Sequence, residues 1–446
     1  PLVGPIPGKR NAFCIIGLRA GLGEGGGHGW LLAQQIVQGE ACLDTWCIDP
    51  RRFTGHANVE LTALKAIEDY QNEFRFHFPN EHRPAGRPAK TTPLTPILAA
   101  EGAAFTVVNG WERMDYLKPA PGFHPTLSFN FDETFDIIAA EIENVRENVG
   151  LCEVSGFNRF EITGQDRHNF LERMFCGPVT KRDGRVGLGY LLNHQGRVKG
   201  EATVANLPAS QRGPNRVWYG SAAASEFHDM DWLIQHILEG EDVQIRSLTN
   251  EQTTLVLAGP KAREVLSTAA RGDWSKEAFP WLSLRECFIG IAPATVMGVS
   301  FSGELAYEIH VPNSALYAAY LALRQAGKGH DLKLFGARAV DSMRLEKGFL
   351  HWKADLITEF DPFETGLERF VKLDKGDFIG KTALRNRKAE TSYKKLVTLK
   401  VDANHAPAHG GASLMQGDTV VGTVTSGGWG HRVGQNLAYA FVDRDH

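Results

Sequence analysis

Residues 189–206 read GYLLNHQGRVKGEATVAN. Residues 190–192 are apolar, and residues 193–196 carry turn chemistry. Asn193 can hydrogen-bond its own backbone, and Gly196 is free to take positive φ. Ala202 and Val204 then alternate with Glu201 and Thr203, which is the period of a strand. The segment therefore predicts strand, turn, strand. Glu201 stands on the face opposite Ala202 and Val204. By itself, a carboxylate there reads as the solvated side of a hairpin.

Working outward, the chain alternates helical and strand patterns. A helix is predicted over 135–148, with Ile137, Ile138, Ile142 and Val145 on one face. A strand follows over 154–163, then a helix over 166–175. Past the hairpin come a strand at 255–259, a helix from Pro260 to Leu266, a long β-rich run over 288–301 and a strand at 308–311. Helices are predicted at 315–324 and 337–346, and strands at 396–401 and 420–425. The glycine-rich TSGGWG that follows reads as a turn. The pattern is α+β and multidomain, with a β-rich tail.

Toward the N-terminus, 12–17 (AFCIIG) predicts a short buried strand. LRAGLGEGGGHG (18–29) predicts a glycine-rich turn, and 30–37 a helix closed by Gly39. Strand, glycine turn and helix are the layout of an anion or dinucleotide site, although GLGEGGGHG is not a clean GxGxxG. A helical pattern covers 61–76. The proline- and arginine-rich stretch 79–96 predicts a connector laid along a surface.

Composition excludes several classes. The 446 residues suffice for two to four domains, and a net charge of −4 offers no argument for nucleic acid. No apolar run is long enough to span a membrane. The six cysteines form no CxxC pair and predict thiols in a reducing compartment. The chain begins at a proline and is expected to be a piece of a longer polypeptide.

Four stretches carry a resemblance: RPAGRP (83–88) with GWER (110–113), residues 193–204, FSGELAYE (301–308), and the run 344–384 beginning RLEKGFLHWKAD. Together they resemble the folate-dependent half of the dimethylglycine and sarcosine dehydrogenase family, itself similar to the aminomethyltransferase, or T-protein, of glycine cleavage. The resemblance implies four regions: the end of an FAD-binding α/β domain (1–53), an FAD-oxidoreductase central or linker domain (54–118), an aminomethyltransferase-like folate-binding domain (119–380) and a barrel-like β domain (381–446). It implies FAD and tetrahydrofolate as cofactors, and a small N-methyl amine as substrate. Oxygen or an electron-transfer protein would be the electron acceptor. No nucleic acid or membrane partner is implied, and the setting would be bacterial cytoplasm or mitochondrial matrix. The implied reaction is oxidative demethylation, the one-carbon unit leaving as 5,10-methylenetetrahydrofolate. A folate-dependent methyl- or aminomethyltransferase without redox chemistry, or a regulatory relative, are the alternatives.

The resemblance also implies site residues. The family's proton-handling Asp corresponds to Glu201, longer by one methylene and of nearly the same reference acidity. Phe301 matches an aromatic residue that stacks near the pterin, and Glu308 a carboxylate that accepts from the pterin's N–H edge. Arg344 and Trp352 are expected either to wall the folate site or to form an ion pair with Asp341 and a core aromatic. Gly25, Gly26 and Gly27 are expected as backbone contacts to the flavin. No metal is implied.

Overall fold

The computed structural model describes residues 1–221, 225–390 and 394–443. Two sheets carry the central body. The first is five-stranded and antiparallel, in the order Gln244–Ser247, Asn158–Thr163, Arg216–Ser221, Val198–Leu207, Val186–Leu192. The second has six strands, in the order Leu284–Ile289, Ala292–Met297, Ala306–Pro312, Gln252–Ala258, Val149–Val154, Leu332–Leu334; only the last pairing is parallel. The predicted strand at 154–163 is thus two strands in different sheets. The chain crosses between them at 155–157, where Gly156 takes φ 79° against Trp111. The long β run over 288–301 is likewise a hairpin, turned at Gly290 (φ 58°).

Each sheet buries one face under helices. Ala202 and Val204 pack with Phe160, Tyr219, Phe170 and Leu233 beneath the helices Arg167–Met174 and Glu226–Gln235. Ile309, Val311 and Leu257 pack against Ala262–Ala269 and Leu316–Ala326. The other face of the second sheet is covered by Thr134–Glu147 and Ala337–Lys347. Leu94, Leu98, Ala103 and Met114 lie in the same core as Leu257 and Ile309. The boundary expected at 118–119 therefore directly follows a hairpin, Ala103–Val108 with Trp111–Leu117, whose packing is shared with the body beyond it.

The C-terminal region is a four-stranded antiparallel sheet, in the order Lys395–Lys400, Gln435–Val442, Thr419–Gly430, Ser413–Gln416. TSGGWG is not a turn: it continues the strand Thr419–Gly430. Its glycine is needed for proximity, since a Cβ on Gly427 would strike the Ala408 carbonyl.

Two N-terminal expectations are corrected. Phe13–Ile16 is a strand, but Ile16 is exposed; among the described strands it pairs only with Leu2–Pro5, in a two-stranded ribbon. The glycine-rich segment is helical: one helix runs Gly21–Gln38 and ends at Gly39 in the left-handed region, φ 83°.

The 189–206 hairpin forms as read, and local contacts set its turn. Asn193 Oδ1 accepts from the backbone N–H of Gln195 (3.0 Å) and Arg197 (2.9 Å), and Gly196 takes φ 78°. The turn then sits on the start of the helix Lys381–Lys388. Gly380, at φ 83°, passes so close that a Cβ would collide with the Asn193 carbonyl oxygen. Gly380→Ala is expected to lower unfolding free energy by about 2 kcal/mol or more, through positive φ and collision together. Gly376→Ala, with open space around it, serves as the control and should leave the denaturation midpoint nearly unchanged.

Candidate functional site

Register places Glu201 directly opposite Tyr190, and Ala205 opposite Trp218. Thr203 faces Gly220, which faces Arg159. Glu201, Thr203, Ala205, Trp218 and Arg159 therefore share the face of the first sheet turned away from its helices. That face meets the second sheet. Trp218 packs on His310 at 4.6 Å between ring centroids, and Arg159 Nη2 donates to Thr254 Oγ1 at 2.6 Å. Glu201 is half-buried here, not on a solvated hairpin face. The Tyr190 hydroxyl donates to its carboxylate, which favours the charged form, but burial wins and pushes its pKa up to about 7.

Glu308 lies on the neighbouring strand position to this contact. Its Oε2 is 3.4 Å from His310 Nε2, and the Arg159 guanidinium is close enough to feel its charge. Phe301 is exposed, and its ring lies nearly parallel to Phe349, 6.0 Å between centroids.

Several groups at this junction were not legible as a site. Glu153 is buried on Val149–Val154, on the face of the second sheet opposite Glu308. Among the described residues neither of its carboxyl oxygens has a hydrogen-bond partner, and burial raises its pKa to about 8 against the pull of Arg113 and Arg159. Arg159 Nε and Trp218 Nε1 are also unpaired and buried. Arg113, of the GWER motif, lies over the Phe157 ring at 4.8 Å and donates to the Ser155 carbonyl. The only sequence signal was an acid inside the apolar strand VGLCEV. The unpaired Arg159 Nε and Trp218 Nε1 lie on the face between the sheets and call for polar partners there.

Arg344 and Trp352 go elsewhere. Arg344 Nε donates to Asp341 (2.8 Å), Nη1 to Asp355 (2.8 Å) and to the Phe349 carbonyl (3.3 Å), and Nη2 to Ser426 (3.0 Å). The guanidinium is engaged on all three nitrogens, so the ion pair with Asp341 forms and is joined by Asp355 and Ser426. Trp352 packs edge-on against Trp46 at 4.9 Å and lies 6.1 Å from the His228 ring. It belongs to a seam joining residues 40–52 to the folate-side body. There Lys199 meets Glu40, and Lys353 Nζ meets Asp44 at 2.6 Å. His228 is buried and held well below its ordinary pKa by desolvation and by Lys199, Arg51 and Lys353.

Gly25, Gly26 and Gly27 are joined to none of these groups. Inside a helix their N–H groups bond to earlier carbonyls, so the free donors of this helix belong to residues 21–23. A Cβ at any of the three glycines would meet no atom within 4 Å among the described residues.

With this geometry in place, comparison with known proteins is decisive for the family. The GCVT N-terminal domain matches residues 94–375. The chain belongs to the glycine cleavage T-protein family. The family's C-terminal barrel domain matches 394–446, and the FAD dependent oxidoreductase central domain matches 38–92. Human mitochondrial dimethylglycine dehydrogenase is 32% identical over 445 residues, covering 99% of this chain and 51% of that protein. The 4-methylaminobutanoate oxidase (formaldehyde-forming) of Paenarthrobacter nicotinovorans is 30% identical over 450 residues, covering 99% of this chain and 54% of that protein. This T-protein relative thus spans about half the length of the curated proteins it matches. Aminomethyltransferase T of the glycine cleavage system from Bartonella henselae shares the fold, with TM-score 0.67 and 23% identity, over 79% of this chain and 90% of that one. Among the described residues no helix is long and apolar enough to cross a membrane, and no three His, Cys, Asp or Glu side chains could hold a metal ion.

Two expectations follow. The pKa of Glu201 is raised on folding, from 4.5 to about 7, so its contribution to stability is full below about pH 4.5 and is lost as pH rises through 7. Glu201→Gln should therefore gain on the wild type by about 2–3 kcal/mol between pH 5 and 8.5, read by urea denaturation at each pH. A difference that does not change with pH would show an ordinary carboxylate. Arg344→Met should cost about 3–5 kcal/mol, because it leaves Asp355 charged, buried and short of its cation. A loss under 1 kcal/mol in the same assay would exclude that role.

Proposed function

We propose that this chain is the folate-binding portion of a flavin-dependent enzyme that oxidises a small N-methyl amine of the dimethylglycine or sarcosine type. The carrying observation is the half-buried carboxyl of Glu201, its pKa pushed up to about 7, on the sheet face that carries Arg159 and Trp218 and meets Glu308 and His310 of the second sheet. When bound, the flavin would take a hydride from the amine and tetrahydrofolate would accept the one-carbon unit as 5,10-methylenetetrahydrofolate.

The residues present fit a folate. A pterin offers an edge of N–H donors and a flat ring. Glu308 supplies an acceptor-only group for the edge, and the exposed ring of Phe301 supplies a stacking surface. The unpaired Arg159 Nε and Trp218 Nε1 supply further partners between the sheets. Glu201 then takes the proton released when the folate amine attacks the electrophilic carbon. A pKa of about 7 suits the task, since it lets one group accept and return a proton at neutral pH. Tyr190 holds the carboxylate from across the hairpin.

For the flavin, the fit is with the glycine-rich part of the helix Gly21–Gln38 and the free N–H groups of residues 21–23, whose dipole favours negative charge. Residues 40–52 bind this segment to the folate-side body through Glu40–Lys199 and Asp44–Lys353, which keeps the two cofactor regions in a constant relation. Setting, electron acceptor and amine follow the whole enzyme.

The test uses the full-length polypeptide. It should be yellow and bleach with dimethylglycine or sarcosine. Glu201→Gln should leave bleaching intact while slowing transfer to folate by about 10²–10⁴-fold, so that formaldehyde appears in place of methylene-folate. Glu308→Ala should weaken folate binding to the present chain by tenfold or more, about 1.4 kcal/mol. A colourless full-length protein would remove the oxidase reading, and unchanged coupling in Glu201→Gln would remove the base.

A further inference from the structure

We propose that His194 and His236 form a two-histidine site for a divalent metal ion of the Zn²⁺ class, on the outer side of the hairpin turn. His194 sits in the 193–196 turn, and His236 caps the end of the helix Glu226–Gln235. Their Nε2 atoms face each other at 3.4 Å. As a hydrogen bond that separation is long, the usual value being about 2.9–3.0 Å. As the bite of a chelate it is apt. With metal–nitrogen bonds of about 2.0–2.1 Å, it subtends an angle of about 110°, the tetrahedral value zinc adopts. Square-planar or octahedral ions need about 90° and a closer pair, so Zn²⁺ is favoured over Ni²⁺.

The surroundings set the ligands. His236 Nδ1 lies 2.7 Å from the Trp232 carbonyl, which places the proton on Nδ1 and the lone pair on Nε2. Trp232 packs against both imidazoles, with centroids 4.2 Å from His236 and 5.7 Å from His194. Asn193 fixes the backbone on one side, and Arg173 Nη2, donating to the His236 carbonyl at 2.8 Å, fixes it on the other. His194 is exposed, so an ion has free access. No third His, Cys, Asp or Glu joins the pair among the described residues, so the remaining positions fall to water or a small anion, and the ion exchanges readily. Bound metal would clamp the turn of the Glu201 hairpin to the helix beneath its strand.

The test is calorimetric titration of the chelator-treated, reduced chain with ZnCl₂. One saturable equivalent in the micromolar range is expected, and its affinity should fall at least tenfold in His194→Ala and, separately, in His236→Gln. The His194 side chain is exposed while the packed residues of the turn, Asn193 and Gly196, are untouched, so its replacement leaves the fold in place. Co²⁺ should give the intense visible bands of a tetrahedral ion in the wild type and lose them in both variants. A Zn²⁺ isotherm identical in wild type and His194→Ala, or no saturable uptake, overturns the proposal.

Discussion

One buried ion pair determines how the parts of this molecule meet. Asp355 has no solvent exposure, and its carboxylate accepts from Arg344 Nη1 (2.8 Å), the His351 N–H (2.8 Å), Thr425 Oγ1 (2.5 Å) and Ser426 Oγ (2.7 Å). Burying both charges is expensive, and only this complete set of donors makes it tolerable. The set draws on the helix Ala337–Lys347, the loop at 349–356 and the strand Thr419–Gly430, so any shift among them uncovers a charge. The same loop delivers Phe349 to Phe301 and Trp352 to Trp46. The ion pair thus fixes the loop that positions both Phe349 and Trp352. Glu304 with Arg432, and Glu346 accepting from the N–H of Arg432 and Val433, repeat the tie between body and barrel.

The seam with residues 40–52 uses a different balance. Here charges pair one by one across the boundary, while the aromatic rings of Trp46 and Trp352 and the imidazole of His228 fill the space between. His228 is kept neutral because three cations surround it in a desolvated place. Its neighbour Asp229 accepts from Ser221 (2.5 Å) and Ser225 (2.9 Å), which holds the ring's orientation from the folate-side body. A neutral, oriented ring between two tryptophans lets the boundary stay dry without trapping an unpaired charge.

What could be read from the sequence follows the range of the interactions. The hairpin was legible because its turn is set by Asn193 and Gly196, residues within it. The partner of Glu201 was not, because the register shifts at Leu191/Leu192 and only the folded strand shows Tyr190 opposite. Arg344 admitted two readings, since Asp341 lies one helical turn away while Asp355 and Ser426 arrive from elsewhere. Glycine misled twice. In TSGGWG it serves a close backbone approach, and at 25–27 it sits in a helix despite a propensity deficit of roughly 1 kcal/mol each. The first is a tertiary demand that overrides local preference; at 25–27 no contact among the described residues requires glycine. Glu153 was invisible, because an acid in an apolar strand becomes notable only when no partner arrives.

The substitution of Glu for the family Asp can now be weighed physically within the proposed function. Tyr190 reaches far from its own backbone, and it stands directly across the ladder from residue 201. A carboxylate must extend to meet that hydroxyl, and the extra methylene of Glu adds about 1.5 Å of reach. The added rotor would ordinarily loosen a catalytic group by more than proton transfer tolerates. Here the hydroxyl restrains it: Tyr190 is buried, with its ring edge-on to Phe370 at 5.0 Å, so the donor cannot swing away. Length and tether compensate each other. The same burial that restrains the pair also raises the pKa of Glu201 toward neutrality, so positioning and proton affinity arise from one packing decision at the hairpin.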